Sequence, residues 1–119
     1  EANRILVLDL LNYCVKIFGS GGEFRDSFGT RGTAEAEFDR PARMTVDKEG
    51  HIYVLDRSRV KIFRPDGQFF HCLSPDPEGG PASELAGLAL GPDGSLYITD
   101  TRSVRVLKYE LAASARAPR

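Results

Sequence analysis

One sequence pattern recurs along the chain, and this recurrence constrains the fold more than any other feature. Residues 45–56 and 89–100 each comprise a short apolar segment, a polar turn containing Gly, a second apolar segment and a closing Asp. The two stretches are offset by 44 residues. The apolar segments that begin at Ile5 and Val15 repeat the later parts of the pattern, 47 and 45 residues before their counterparts.

A period of 40 to 50 residues with several short strands in each unit is typical of a β-propeller. We therefore predict an all-β fold, a partial β-propeller of four-stranded antiparallel blades with about ten strands, arranged as three, four and three. A closed propeller needs roughly 4 to 8 blades, whereas 119 residues hold about two and a half. The open edges would need the remaining blades or other copies of the chain to cover them, and we expect the isolated chain to associate.

The predicted domain spans residues 1–110. It divides into three units followed by a flexible tail, at 1–37, 38–84, 85–110 and 111–119. Loops at 30–41 and 74–84 are expected to cross from one unit to the next, since they are rich in Gly, Pro and polar residues. The inner strand of the second unit is placed at Arg43 to Asp47, and the third strand of the last unit at Ser103 to Tyr109.

Matching residues recur in the same order in the units. In the second unit they are Phe38-Asp39-Arg40-Pro41, Met44 to Asp47, Gly50, Ile52-Tyr53-Val54-Leu55-Asp56, Arg59 to Phe63 and Gly67. This order resembles the NHL repeat, a β-propeller family that includes domains of tripartite-motif proteins. The resemblance covers nearly the whole chain and implies a propeller, usually of six blades, closed by a strand lent from the N-terminal side.

The chain departs from the NHL pattern in three places. The family has Asn-His before the third strand, whereas this chain has Leu11-Asn12-Tyr13, Arg57-Ser58 and Thr101-Arg102 there. Gly91 stands where the family has an inner-strand Asp, and the first unit lacks its inner strand. We therefore expect the chain to correspond to the C-terminal half of a propeller, with upstream sequence supplying the missing edge strands.

Net charge and the lengths of the apolar runs limit which classes of partner the chain is expected to bind. With a formal net charge of −1, no overall field attracts the chain to nucleic acid or an anionic membrane. No apolar run approaches the ~20 residues of a membrane span, so no membrane partner is predicted. The N-terminal residues lack the pattern of a signal peptide. A cytoplasmic location is favoured, and the compartment stays unknown if the chain derives from a secreted parent.

No constellation of catalytic residues is found. His51 and His71 have no His or Cys at a metal-ligand spacing, and Ser58 has no neighbouring base. We therefore predict no enzymatic activity, no catalytic residue, no metal and no cofactor. Cys14 and Cys72 occupy different units, and no disulfide is expected between them.

Two side chains recur at equivalent strand positions. Tyr53 and Tyr97 are expected to bury their rings between blades while each hydroxyl reaches a polar neighbour. Asp9, Asp56 and Asp100 each close a second strand, where a carboxylate can accept hydrogen bonds from the backbone N–H groups of the next turn. A ring of these carboxylates around a central channel, binding a cation, is the alternative.

Basic and aromatic residues cluster at one predicted rim, formed by the turns after the second strands and the approaches to the first strands. The candidate partner-binding residues are Tyr13, Arg40, Arg43, Arg57, Arg59 and Arg102. The favoured function is a docking surface for a protein partner. RNA binding through the same rim is the alternative, as in some tripartite-motif NHL domains, because arginines beside an aromatic grip phosphates and stack on bases. A solvated edge whose arginines pair with nearby carboxylates is the third possibility.

Overall fold

A computed structural model of the chain describes residues 3–74, 85–102 and 104–110 and contains ten β-strands in three antiparallel sheets. The strands are β1 Ile5–Asp9, β2 Cys14–Phe18, β3 Phe24–Phe28, β4 Pro41–Val46, β5 Ile52–Asp56, β6 Arg59–Phe63, β7 Phe69–Leu73, β8 Leu85–Leu90, β9 Leu96–Asp100 and β10 Arg105–Tyr109. The predicted all-β fold and the division into three, four and three strands are confirmed.

Each sheet is a meander in which strands adjacent in sequence are also adjacent in space. The first sheet has the order β1-β2-β3, the second β4-β5-β6-β7 and the third β8-β9-β10. Equivalent hairpin turns contain Gly22 and Gly67, whose φ angles are 90° and 91°. Glycine suits these positions because side chains with a Cβ rarely adopt a left-handed backbone.

The second sheet lies between the other two. All five residues of β5 are buried, because the strand is apolar on both faces and each face packs against a neighbouring sheet. One core joins the first and second sheets and comprises Val15, Phe38, Ile52, Val54 and Phe63. The other joins the second and third sheets and comprises Tyr53, Leu55, Val60, Ile62, Leu85, Leu96 and Ile98.

Three details of the prediction need correction. The inner strand of the second sheet begins at Pro41 rather than Arg43, because a bulge between these residues lets Pro41 pair with Asp56. The last strand begins at Arg105 rather than Ser103, because Val104 has a φ of 54° and still belongs to the turn. Tyr97 does not lie between described sheets: it is half-buried and, because its neighbours Leu96 and Ile98 face the core, it lies on the outer side of the third sheet.

The remaining sequence features are placed as follows. Both Cys14 and Cys72 are free thiols, and burial raises the pKa of each. The second crossing loop, apart from its first residue, and the predicted tail lie outside the described residues. Within residues 3–74, 85–102 and 104–110 there is no helix long and apolar enough to cross a bilayer. The predicted unit boundaries stay a prediction.

Candidate partner-binding rim

The rim consists of three hairpin turns and the loop that leads into the second sheet. The turns join the second and third strands of the repeat, and their described residues are 10–13, 57–58, 101–102 and 104. The loop from 30 to 40 joins β3 to β4 and contacts the first and the second of these turns. Its residue Arg31 places its guanidinium 5.2 Å from the Tyr13 ring centroid, and its residue Arg40 accepts a 3.2 Å hydrogen bond from the backbone N–H of Arg57.

Close packing at a glycine holds the loop against the first turn. Gly29 has a φ of 102°, and a Cβ at this position would lie 2.5 Å from the Phe38 ring and 3.1 Å from the Tyr13 carbonyl oxygen. Glycine is therefore required both by the backbone conformation and by the space available. Phe38 itself is fully buried in the core between the first and second sheets.

Asp56 organises the loop at the end of β5. Its buried carboxylate accepts hydrogen bonds from the backbone N–H groups of Asp39 and Arg40. The sequence prediction assigned such bonds to the turn that follows, which is correct for Asp9 and Asp100: they accept from the backbone N–H of Asn12 and Arg102. It is wrong for Asp56, because the crossing loop folds back over this carboxylate and supplies its donors.

Lys61 completes this polar cluster beneath the rim. Its fully buried ammonium lies 3.0 Å from Asp56 Oδ2 and donates hydrogen bonds to the backbone carbonyls of Ala34 and Glu37. The ammonium also lies 5.9 Å from the centroid of the Phe38 ring. A buried cation is tolerated only when it is paired and hydrogen-bonded, and here the loop provides these partners. The cluster thus fixes the loop that carries Arg31 and Arg40.

Two of the predicted rim arginines are engaged with the loop. The Arg57 guanidinium pairs with the Asp39 carboxylate, and this hydrogen bond lowers the pKa of Asp39 and raises the pKa of Arg57. Arg59 donates a 3.2 Å hydrogen bond to the carbonyl of Thr33. Both side chains hold the rim together, as the solvated-edge alternative anticipates, which leaves them less free for a partner.

The other predicted rim residues differ in their availability. Arg40 and Arg102 are exposed, and no side-chain hydrogen bond or ion pair is found for either one within the described ranges. Arg43 lies within β4 rather than on a turn, where it pairs in register with Leu55, and its guanidinium bonds the Ala42 carbonyl. Tyr13 is half-buried with a φ of 57°.

Exposed apolar residues on the rim were missed from the sequence. Leu10 and Leu11 belong to the first turn, and the Leu11 side chain is 88% exposed. Val104, in the third turn, is also exposed. Their only signal in the sequence was an apolar pair inside a turn that otherwise favours polar residues. Arg31, which stacks on Tyr13, was missed because it lies 18 residues away in the chain.

The opposite end of the second sheet carries a group of possible metal ligands. Ligand atoms of Asp47, Glu49 and His51 lie within 4.8 Å of one another. The Asp47 carboxylate is already bonded, because it accepts from the backbone N–H groups of Glu49 and His51 and from the Tyr53 hydroxyl at 3.0 Å. This confirms that the hydroxyl of Tyr53 reaches a polar neighbour. The His51 Nδ1 lies 3.3 Å from Asp47 Oδ2 without hydrogen-bond geometry.

Three meander sheets packed face to face, with a rim of turns, define a partial β-propeller. Propeller domains of the NHL type are usually scaffolds that bind protein or RNA. A sequence-family model described as a 6-bladed beta-propeller matches residues 1–75. The chain belongs to this family, and its NHL-repeat relatives confirm the resemblance seen in the sequence.

Several curated relatives match parts of the chain. E3 ubiquitin-protein ligase TRIM71 of Rattus norvegicus is 49% identical over 47 residues, which cover 38% of this chain and 6% of the relative. E3 ubiquitin-protein ligase NHLRC1 of Homo sapiens is 28% identical over 105 residues, covering 87% and 25%. Protein brain tumor of Drosophila melanogaster is 26% identical over 112 residues, covering 91% and 10%. The chain therefore spans at most a quarter of the length of these relatives.

A solved structure supports the fold alone. A putative exported protein from Bacteroides fragilis superposes with a TM-score of 0.66 at 21% sequence identity, covering 82% of this chain and 27% of that one. The agreement extends over about four fifths of the chain and shows that the overall arrangement of its strands occurs in a solved structure.

Proposed function

We propose that the rim binds a protein partner through the exposed leucines of the first turn, together with Arg40 and Arg102, which are exposed elsewhere on the rim. The observation that carries this proposal is the exposure of Leu11, with Leu10 next to it. Exposed apolar surface is unfavourable in water by roughly 25 cal/mol per Å², so a contiguous apolar patch on a surface marks an interaction site.

The surroundings of the leucines fit a protein interface. Arg and Tyr are enriched at protein–protein interfaces, where a stacked or planar side chain offers large contact area at low entropy cost. Tyr13 with Arg31 stacked on it forms such a rigid group next to the leucines. The corresponding partner surface would present an apolar pocket and, at a separate point, carboxylates, since Arg40 and Arg102 place exposed positive charge on the same rim.

Binding of single-stranded RNA is the second candidate, and one observation favours it. The rim combines an aromatic ring with exposed arginines, the pairing that grips phosphates and stacks on bases. The pairing of Arg57 with Asp39 and the net charge of −1 count against it, because both reduce the positive field at the rim.

Two sets of variants distinguish the candidates. Leu10→Ser with Leu11→Ser removes the apolar patch, and Arg40→Ala with Arg102→Ala removes the open cations. For a protein partner, a photo-crosslinking residue at position 11 should capture one defined partner. When this partner has been purified, it should bind the unmodified chain and not the leucine variant. The matched control is a crosslinking residue at Val46, an exposed valine away from the rim.

For RNA, fluorescence anisotropy with a pool of single-stranded oligonucleotides is the direct measurement. Affinity should fall as salt rises, with a log–log slope of roughly −0.7 for each phosphate contacted, and the arginine variant should lose binding while Arg25→Ala keeps it. Binding that survives in the arginine variant, or is lost only in the leucine variant, would refute the RNA candidate. Crosslinking at position 11 no greater than at position 46 would refute the protein candidate.

A further inference from the structure

The two outer sheets of the described structure each have one face packed on the second sheet and one face open. In the first sheet, Leu6 and Leu8 point to the core, while Ile5 and Val7 point away from it, and Val7 is 42% exposed. Phe18 and Phe24 lie on the same outward side by strand register. We call the set Ile5, Val7, Asp9, Lys16, Phe18 and Phe24 the first open face.

The first open face is a structural copy of a face that is buried inside the chain. Its repeat equivalents in the second sheet are Ile52, Val54, Asp56, Lys61, Phe63 and Phe69. The Phe18–Phe24 rings meet edge to face at 5.8 Å, and the Phe63–Phe69 rings do so at 5.9 Å. The equivalent ion pairs, both Lys to Asp, measure 2.9 Å and 3.0 Å. The buried copy is the face that receives the first sheet.

The outer face of the third sheet corresponds to the other face of the second sheet, the one that packs on the third sheet. Ala89, Tyr97, Thr99 and Val106 share its outer side by register, and we call them the third open face. Val106 is 64% exposed. The repeat equivalents of Tyr97, Thr99 and Val106 in the second sheet are Tyr53, Leu55 and Ile62, which pack on the third sheet in the core.

One chain therefore carries both halves of the interface that joins its own sheets. We propose that two copies of this chain associate head to tail, the first open face of each copy packing on the third open face of the other. Sheets of a six-bladed ring are related by about 60°, so the three sheets in the described part of the chain span half a turn. A heterologous interface closes when its rotation divides the circle, and two copies then complete six sheets.

Closure favours the two-copy ring over open chains of copies. Once the first interface has formed, the second forms within the same particle and benefits from a high effective concentration. The apolar side chains of the first open face also leave water twice for each ring. In the ring, the first turn of one copy, with its leucines, would lie next to the third turn of the other copy.

The test uses the full chain and size-exclusion chromatography with multi-angle light scattering. We expect the unmodified chain to show twice the 13.1 kDa mass of one chain. Val7→Glu and Val106→Glu, which place a charge on the first and the third open face, should each give monomers. Val46→Glu, at an exposed valine on neither face (40% exposed), is the matched control and should remain dimeric. Far-UV circular dichroism shows whether each variant is folded.

Mixing the two charged variants tests the head-to-tail arrangement. The third open face of the Val7→Glu chain and the first open face of the Val106→Glu chain are both intact, so the mixture should regain one interface and form dimers that neither variant forms alone. An unmodified chain that stays monomeric at high concentration would overturn the proposal and indicate that these faces await further sheets of a longer chain. Unlimited oligomers, or dimers lost in only one variant, would also overturn it.

Discussion

Replacing Lys61 by Met should destabilise the chain far more than the same replacement at Lys16. The two lysines occupy equivalent repeat positions and pair with equivalent aspartates, at 3.0 Å and 2.9 Å. They differ in burial, because the loop carrying Phe38 covers Lys61 completely while the Lys16 side chain stays 36% exposed.

The magnitude follows from what Lys61→Met leaves behind. The buried Asp56 carboxylate would lose its counter-ion, and the carbonyls of Ala34 and Glu37 would lose their donor. Removing one partner of a buried ion pair costs about 3–5 kcal/mol, a large part of the 5–15 kcal/mol by which a typical domain is stable. Lys16→Met should have a much smaller effect, because solvent already screens that pair.

The assay is urea denaturation followed by circular dichroism, because the chain has no Trp for fluorescence. The protein concentration should be low enough that the chain is monomeric. Asp56→Asn combined with Lys61→Met should recover part of the lost stability, since the unpaired charge is gone while an oxygen acceptor remains for the loop. Equal losses for Lys61→Met and Lys16→Met, or no recovery in the double variant, would refute the role assigned to the buried cluster.

Two further predictions concern Asp9 and Gly29. The hydrogen bond from the Asn12 side chain, followed by the pairing with a lysine, lowers the pKa of Asp9 to about 2. Because its pKa is depressed in the folded state, Asp9 stabilises the fold above the unfolded pKa of about 3.9, and this contribution disappears as the pH falls toward 2. Asp9→Asn should therefore flatten the dependence of the urea midpoint on pH between about 4 and 2. An unchanged pH dependence in the variant would contradict the role assigned to Asp9. Gly29→Ala should lower the melting temperature more than Gly22→Ala: both glycines have a positive φ, but only at position 29 would the new Cβ meet an aromatic ring, whereas nothing lies within 4 Å of it at position 22. Equal shifts would show that backbone strain alone is responsible.

The repeat in the sequence was sufficient to predict the sheets. The fixed offset between apolar segments shows that the units repeat. Within each unit, short turns marked by Gly residues indicate that strands adjacent in sequence pair with one another. The local bond of the Tyr53 hydroxyl was also predictable, since its partner Asp47 precedes it by six residues at the start of the same hairpin.

The sequence alone determined the fold class and the strand order, because these depend on local pairing that the repeat encodes. Only the tertiary structure decided which equivalent residues are buried, paired or open. The ion pairs Asp9–Lys16 and Asp56–Lys61 occupy equivalent positions in the repeat. Only the second one lies beneath the crossing loop, whereas the first one faces solvent. The exposure of Leu11 was likewise decided by the tertiary structure. Whether a residue is buried depends on which distant segment packs over it, and no described segment packs over Leu11.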